Sequence, residues 1–120
     1  MVPATIYNER DDCAVRALMV AACIDYQTAH DACAAAGRKQ KKGMQSADLA
    51  TAIYRLIPNA KPIMRGETVA QFTRANPRGH FILFVRWHFL AICDGVIHDA
   101  PWYSKAPRVR RRILRGWKLV

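Results

Sequence analysis

Cys13 is the residue of this chain whose position most clearly suggests chemistry. It follows Asp11 and Asp12, where a polar stretch turns into a run of alanine and apolar residues that reaches Cys23. Asp12 is a suitable N-cap, so the pattern predicts that Cys13 lies in the first turn of a helix. There the unpaired backbone N–H groups and the positive end of the helix dipole favour a thiolate over a thiol. Cys13 is therefore a candidate nucleophile.

A base for that thiol, and a residue to orient the base, lie on a predicted hairpin. The pair Asp94–Gly95 is a strong two-residue turn signal, and it predicts that Cys93 pairs with Val96. Because side chains alternate along a strand, this register places Asp99 diagonally opposite His88. A carboxylate there accepts a hydrogen bond from one imidazole nitrogen and leaves the other facing the thiol.

The elements that must position these residues are helices followed by strands. This order predicts an α+β fold in one domain spanning residues 1–120. The apolar periodicities predict helices at 12–24, 25–36, 46–56 and 68–75. They predict strands at 61–64, 80–93 with a break near Arg86, 96–99 and 109–120.

Three segments together resemble a known family: Asp12–Leu18, Ala36–Gly43 and His88–Asp99. They are similar to small papain-like (C39-like) proteins common in bacteriophage genomes. The resemblance implies a papain-like cysteine protease fold, with N-terminal helices packed on a C-terminal antiparallel sheet. It implies a peptidase or isopeptidase acting on a peptide or protein, with a host protein as one candidate. It also implies an oxyanion donor shortly before the cysteine, for which Asn8 is the candidate.

Each candidate also has a structural interpretation. A cysteine at a helix start can be a small buried hydrophobic residue. His88 can be a core histidine held by a backbone carbonyl, and Asp94 competes with Asp99 for its ring, although Asp94 is more simply the turn residue.

The formal net charge of +10 favours polyanions or acidic surfaces as partners. Part of this charge lies near the C-terminus, where the sequence also fits a strand with a basic outer face. Nucleic-acid contact is the secondary possibility there. The residues that would carry it are Arg110, Arg111, Arg112, Arg115 and Lys118, with Trp117 available to stack a base. The alternative function is accordingly a non-catalytic phage protein that uses the same fold and this basic surface to bind a host protein or nucleic acid.

Other classes of protein are disfavoured by the sequence. No apolar run is long enough to cross a membrane and no signal peptide is visible, so we expect a cytoplasmic protein, in the host cytoplasm if phage-encoded. The four cysteines are then expected to be reduced. His30 and Cys33 share a helix face at a metal-ligand spacing, but no paired Cys-x-x-Cys accompanies them. We therefore expect neither a metal nor a cofactor.

Overall fold

The computed structural model describes residues 11–63, 66–99 and 109–120 of the chain. In these ranges it is an α+β structure with four helices and a five-stranded antiparallel open sheet. The helices are α1 (Cys13–Ala22), α2 (Tyr26–Ala35), α3 (Ser46–Leu56) and α4 (Val69–Ala75). The strands are β1 (Lys61–Ile63), β2 (His80–Val85), β3 (His88–Cys93), β4 (Val96–His98) and β5 (Arg115–Lys118).

The sheet has the strand order β1-β5-β2-β3-β4. The predicted break near Arg86 is confirmed, since Arg86 and Trp87 form the turn that joins β2 to β3. The predicted hairpin is confirmed as well, because Cys93 pairs with Val96 across the Asp94–Gly95 turn. This register is what brings the residue after β4 alongside the start of β3.

Two hydrophobic clusters form the core of the described ranges. The larger one joins α1, α2 and α3 to apolar side chains of β2, β3 and β5, among them Ile82, Ala91 and Trp117. The smaller one joins Val69 and Phe72 of α4 to the alternate side chains of β2 and β3. Because neighbouring strand residues point to opposite faces, the sheet is covered on both sides, which explains why β3 is apolar throughout.

The C-terminal strand is shorter than predicted. A strand over 109–120 was expected, but β5 begins only at Arg115. The preceding residues instead pair with the start of α4, where the amide of Val69 donates to the carbonyl of Arg111 and that of Ala70 to the carbonyl of Val109. Amides in the first turn of a helix have no partner within the helix, so this segment supplies their acceptors in place of continuing the sheet.

No helix in the described ranges is long and apolar enough to cross a membrane.

Candidate active site

Three elements bring the candidate residues together. Cys13 is the first residue of α1, His88 is the first residue of β3, and Asp99 directly follows β4. Helix α1 packs against β3 through a largely apolar surface in which Val15 and Leu18 are fully buried. This packing places the N-terminus of α1 next to the start of β3, where His88 lies.

The ring of His88 contacts both of the other side chains. Its Nε2 lies within hydrogen-bond range of Oδ1 of Asp99, and each of these two side chains is only 6% exposed. The thiol of Cys13 lies close enough to the ring to raise the pKa of His88. Since Asp99 occupies Nε2, Nδ1 is the nitrogen left for the sulfur. Cys13 itself is half-buried, as a nucleophile that must still meet a substrate has to be.

The electrostatics of this arrangement favour a charged ring. Burial disfavours the imidazolium, but the hydrogen bonds and negative charges of Asp99 and Cys13 outweigh it and raise the pKa of His88 from 6.5 to about 9. A histidine that is hydrogen-bonded only to a backbone carbonyl would have no negatively charged neighbour to raise its pKa in this way. At neutral pH the histidine is therefore positively charged next to the sulfur, which is the environment in which a cysteine acts as a thiolate.

Asp12 has a different role from the one its position predicts. It is the residue before α1, yet its side chain makes no capping hydrogen bond. The residue is 1% exposed, and its Oδ2 accepts hydrogen bonds from Tyr26 Oη at 2.7 Å and Arg16 Nε at 3.1 Å. Burying a carboxylate without hydrogen-bond donors costs more free energy than leaving a helix N-terminus without a side-chain cap. The contact with Tyr26 links the start of α1 to α2 and fixes the position of the neighbouring Cys13.

No family model, curated protein or solved structure matches the chain.

Trp87 lies beside the site and was not singled out by the sequence. It is 85% exposed and has a φ of 65°, a backbone conformation that is unusual for a large side chain. It directly precedes His88, in the turn between β2 and β3. The predicted break near Arg86 could have identified Trp87, because the residues of a turn between two strands are usually exposed.

The remaining predicted site residues are not part of this arrangement. Asn8 lies outside the described residues. Four of the tail cations make contacts within the chain: Arg111 donates to the carbonyl of Arg86, Arg112 donates to the carbonyl of Gly66, Arg115 lies over the ring of Trp117, and Lys118 lies over the ring of Phe81. Arg110, Arg111, Arg112 and Lys118 are nevertheless exposed.

One detail of the nucleic-acid interpretation is wrong. Trp117 is fully buried in the core under the sheet, so it is not available to stack on a base. Any contact of the tail with phosphate would therefore be made by the exposed guanidinium and ammonium groups alone.

Among the described residues, no three histidine, cysteine, aspartate or glutamate side chains are arranged to hold a metal ion. An open depression of about 550 Å³ lies between α4 and the β3–β4 turn, where it is lined by Arg74, Asp94 and Ile97 among others, and it does not include the three candidate residues.

Proposed function

We propose that the chain is a papain-like cysteine hydrolase, a peptidase or isopeptidase of bacteriophage origin, in which Cys13 is the nucleophile. The observation that supports this most is that one buried ring, that of His88, interacts electrostatically with a half-buried thiol and is paired with a buried carboxylate. A cysteine kept only for packing needs neither of these partners. The resemblance of three sequence segments to papain-like proteins points in the same direction.

The chemistry is an acyl transfer in two steps. The Cys13 sulfur attacks the carbonyl carbon of an amide, and the protonated ring of His88 gives its proton to the leaving amine, so that a thioester and a free amine form. The neutral ring then takes a proton from water, which attacks the thioester. A carboxylic acid leaves, and the Cys13 thiolate is regenerated beside the protonated ring. Asp99 acts through His88, since it orients the ring and stabilises its charge.

The oxyanion of each tetrahedral intermediate requires hydrogen-bond donors. Cys13 is the first residue of α1, and its amide therefore has no acceptor within the helix and can serve as one donor. The amide side chain of Asn8 is the proposed second donor. The exposed ring of Trp87 offers apolar surface to substrate side chains next to the site.

The proposal is tested by acylation with a chemically activated ester, p-nitrophenyl acetate, followed by peptide mapping. Because Cys23 is exposed, every protein in the comparison carries Cys23→Ser. We expect a burst of nitrophenol and an acetyl group on Cys13. Replacing His88 with alanine should remove the burst while the far-UV circular dichroism is unchanged. Acetylation spread evenly over the remaining cysteines would contradict an activated nucleophile and favour the alternative, a binding protein with this fold.

A further inference from the structure

A second pair of cysteines lies at the opposite ends of the same two elements. Cys23 directly follows α1, and Cys93 ends β3. Both thiols donate to one acceptor, the carbonyl oxygen of Val20, at 3.8 Å and 3.7 Å respectively. Because both sulfurs contact the same carbonyl oxygen, they lie near each other in space, although 69 residues separate Cys23 from Cys93 in the sequence.

The two thiols differ in accessibility. Cys23 is exposed, whereas Cys93 is half-buried. Burial, with the charges of Cys23 and Asp94, raises the pKa of Cys93 to about 11. A disulfide from solution therefore meets Cys23 first, and burial favours the protonated form of Cys93 at neutral pH.

A histidine accompanies the exposed thiol. The Nδ1 atom of His80 lies 3.5 Å from Sγ of Cys23 and 3.0 Å from the carbonyl oxygen of Ala21. Asp94 Oδ2 lies 3.7 Å from the other ring nitrogen. Since a carbonyl can only accept, the Nδ1–H of His80 donates to Ala21, and the sulfur of Cys23 lies next to the same N–H group. Cys23 and Asp94 lie at different nitrogen atoms of the ring, so the two side chains do not converge on a point where a metal ion would bind.

We propose that Cys23 and Cys93 form a thiol–disulfide exchange site whose co-substrate is a small-molecule disulfide of the glutathione type. The Cys23 thiolate attacks one sulfur of the disulfide, its S–S bond breaks, and one thiol leaves after taking up a proton. The Cys93 sulfur, having lost its proton to solvent, then attacks Sγ of Cys23 and expels the second thiol. Two protein thiols are oxidised to one disulfide, and one small disulfide is reduced to two thiols.

The order of these steps follows from the accessibility of the two thiols, because a disulfide from solution reaches the exposed Cys23 before the half-buried Cys93. The product links the end of α1 to the end of β3. This disulfide would hold α1 and β3 together, and the opposite ends of these two elements carry Cys13 and His88. The proposed exchange does not require Cys13 or His88 to be catalytic.

The test is incubation of the wild-type protein with glutathione disulfide, followed by intact mass and peptide mapping. We expect a crosslink between the peptides of Cys23 and Cys93, with no glutathione retained. The variant Cys93→Ala should stop at a glutathione adduct on Cys23, and Cys23→Ser should lose both products. Cys13→Ser is the matched control and should still form the crosslink.

Two results would overturn the proposal. One is a wild-type map in which glutathione stays on Cys23 without any crosslink. The other is a crosslink that involves Cys13 or Cys33. Both results are obtained with the wild-type protein, so neither depends on how well a variant folds.

Discussion

Replacing Asp99 with asparagine should lower the pKa of His88 while the fold is preserved. In the wild-type protein this pKa is raised from 6.5 to about 9 against the opposing effect of burial. At about 1.4 kcal/mol per pH unit, the difference corresponds to about 3 kcal/mol in favour of the imidazolium. Asparagine keeps the size of the side chain but removes its charge.

The expected size of the effect follows from the loss of a neighbouring opposite charge, which typically moves a pKa by about 1–3 pH units. Burial of the ring remains, and only the Cys13 contact still favours the charged form. We therefore expect the pKa of His88 in Asp99→Asn to lie between about 6 and 8. The ring signal in a ¹H–¹³C correlation spectrum, assigned with a His88→Gln variant, measures it directly.

A matched control exists in Asp94→Asn. Asp94 carries the same charge and lies in the same hairpin, but its side chain is 68% exposed and faces His80. This variant should leave the titration of His88 at about pH 9. If His88 titrates near 6.5 in the wild-type protein, or if both variants shift it equally, the contact with Asp99 does not control the charge of the ring and our reasoning fails.

The same shift should appear in catalysis. The leaving amine needs a proton from the imidazolium, so turnover should fall as the pH rises through about 9 in the wild-type protein and at a lower pH in Asp99→Asn. At neutral pH we expect Asp99→Asn to lose up to about 10⁴ in turnover, because an amide no longer holds the imidazole in the required tautomer.

Three further outcomes are expected. Tyr26→Phe should lower the free energy of unfolding in urea by about 1–3 kcal/mol, because Asp12 stays buried and loses a donor, whereas Tyr54→Phe, in a half-buried position, should change it less. Asn8→Ala should reduce turnover by about 10²–10³ without changing the alkylation rate of the thiol, and unchanged turnover would show that the second oxyanion donor is another group. If the tail binds DNA, replacing arginines 110–112 with glutamine should weaken binding and flatten its salt dependence by about one unit of slope per lost phosphate contact. Equal weakening in a control in which three loop lysines are changed to glutamine would refute a specific role of the tail; these are Lys39, Lys41 and Lys42.

The hairpin shows how far local sequence can predict a site. The Asp94–Gly95 turn fixes the register of β3 and β4, and register alone places Asp99 near His88. A turn signal acts over a few residues, so this part of the site could be derived without a structure. The start of α1 could also be predicted, since a polar stretch followed by an alanine-rich run marks a helix start.

The parts that could not be predicted depend on contacts between distant segments. Asp12 has the sequence of a cap, but its burial against Tyr26 overrides that local preference. The proximity of Cys23 to Cys93 results from the packing of α1 on β3, and no periodicity links residues so far apart in the chain. The C-terminal segment alternates as a strand does, yet residues 109–113 pair with the start of α4 because free amides are available there.

The alkylation of Cys13 by iodoacetamide as a function of pH tests the central claim most directly. It is measured by peptide mapping in the Cys23→Ser protein, with and without His88→Ala. Our account predicts that Cys13 is alkylated at pH 6 when His88 is present. Without His88, alkylation should require a pH approaching about 8.5, as for an ordinary thiol. Identical pH profiles for the two proteins would contradict a thiolate–imidazolium pair, and with it the proposed cysteine hydrolase.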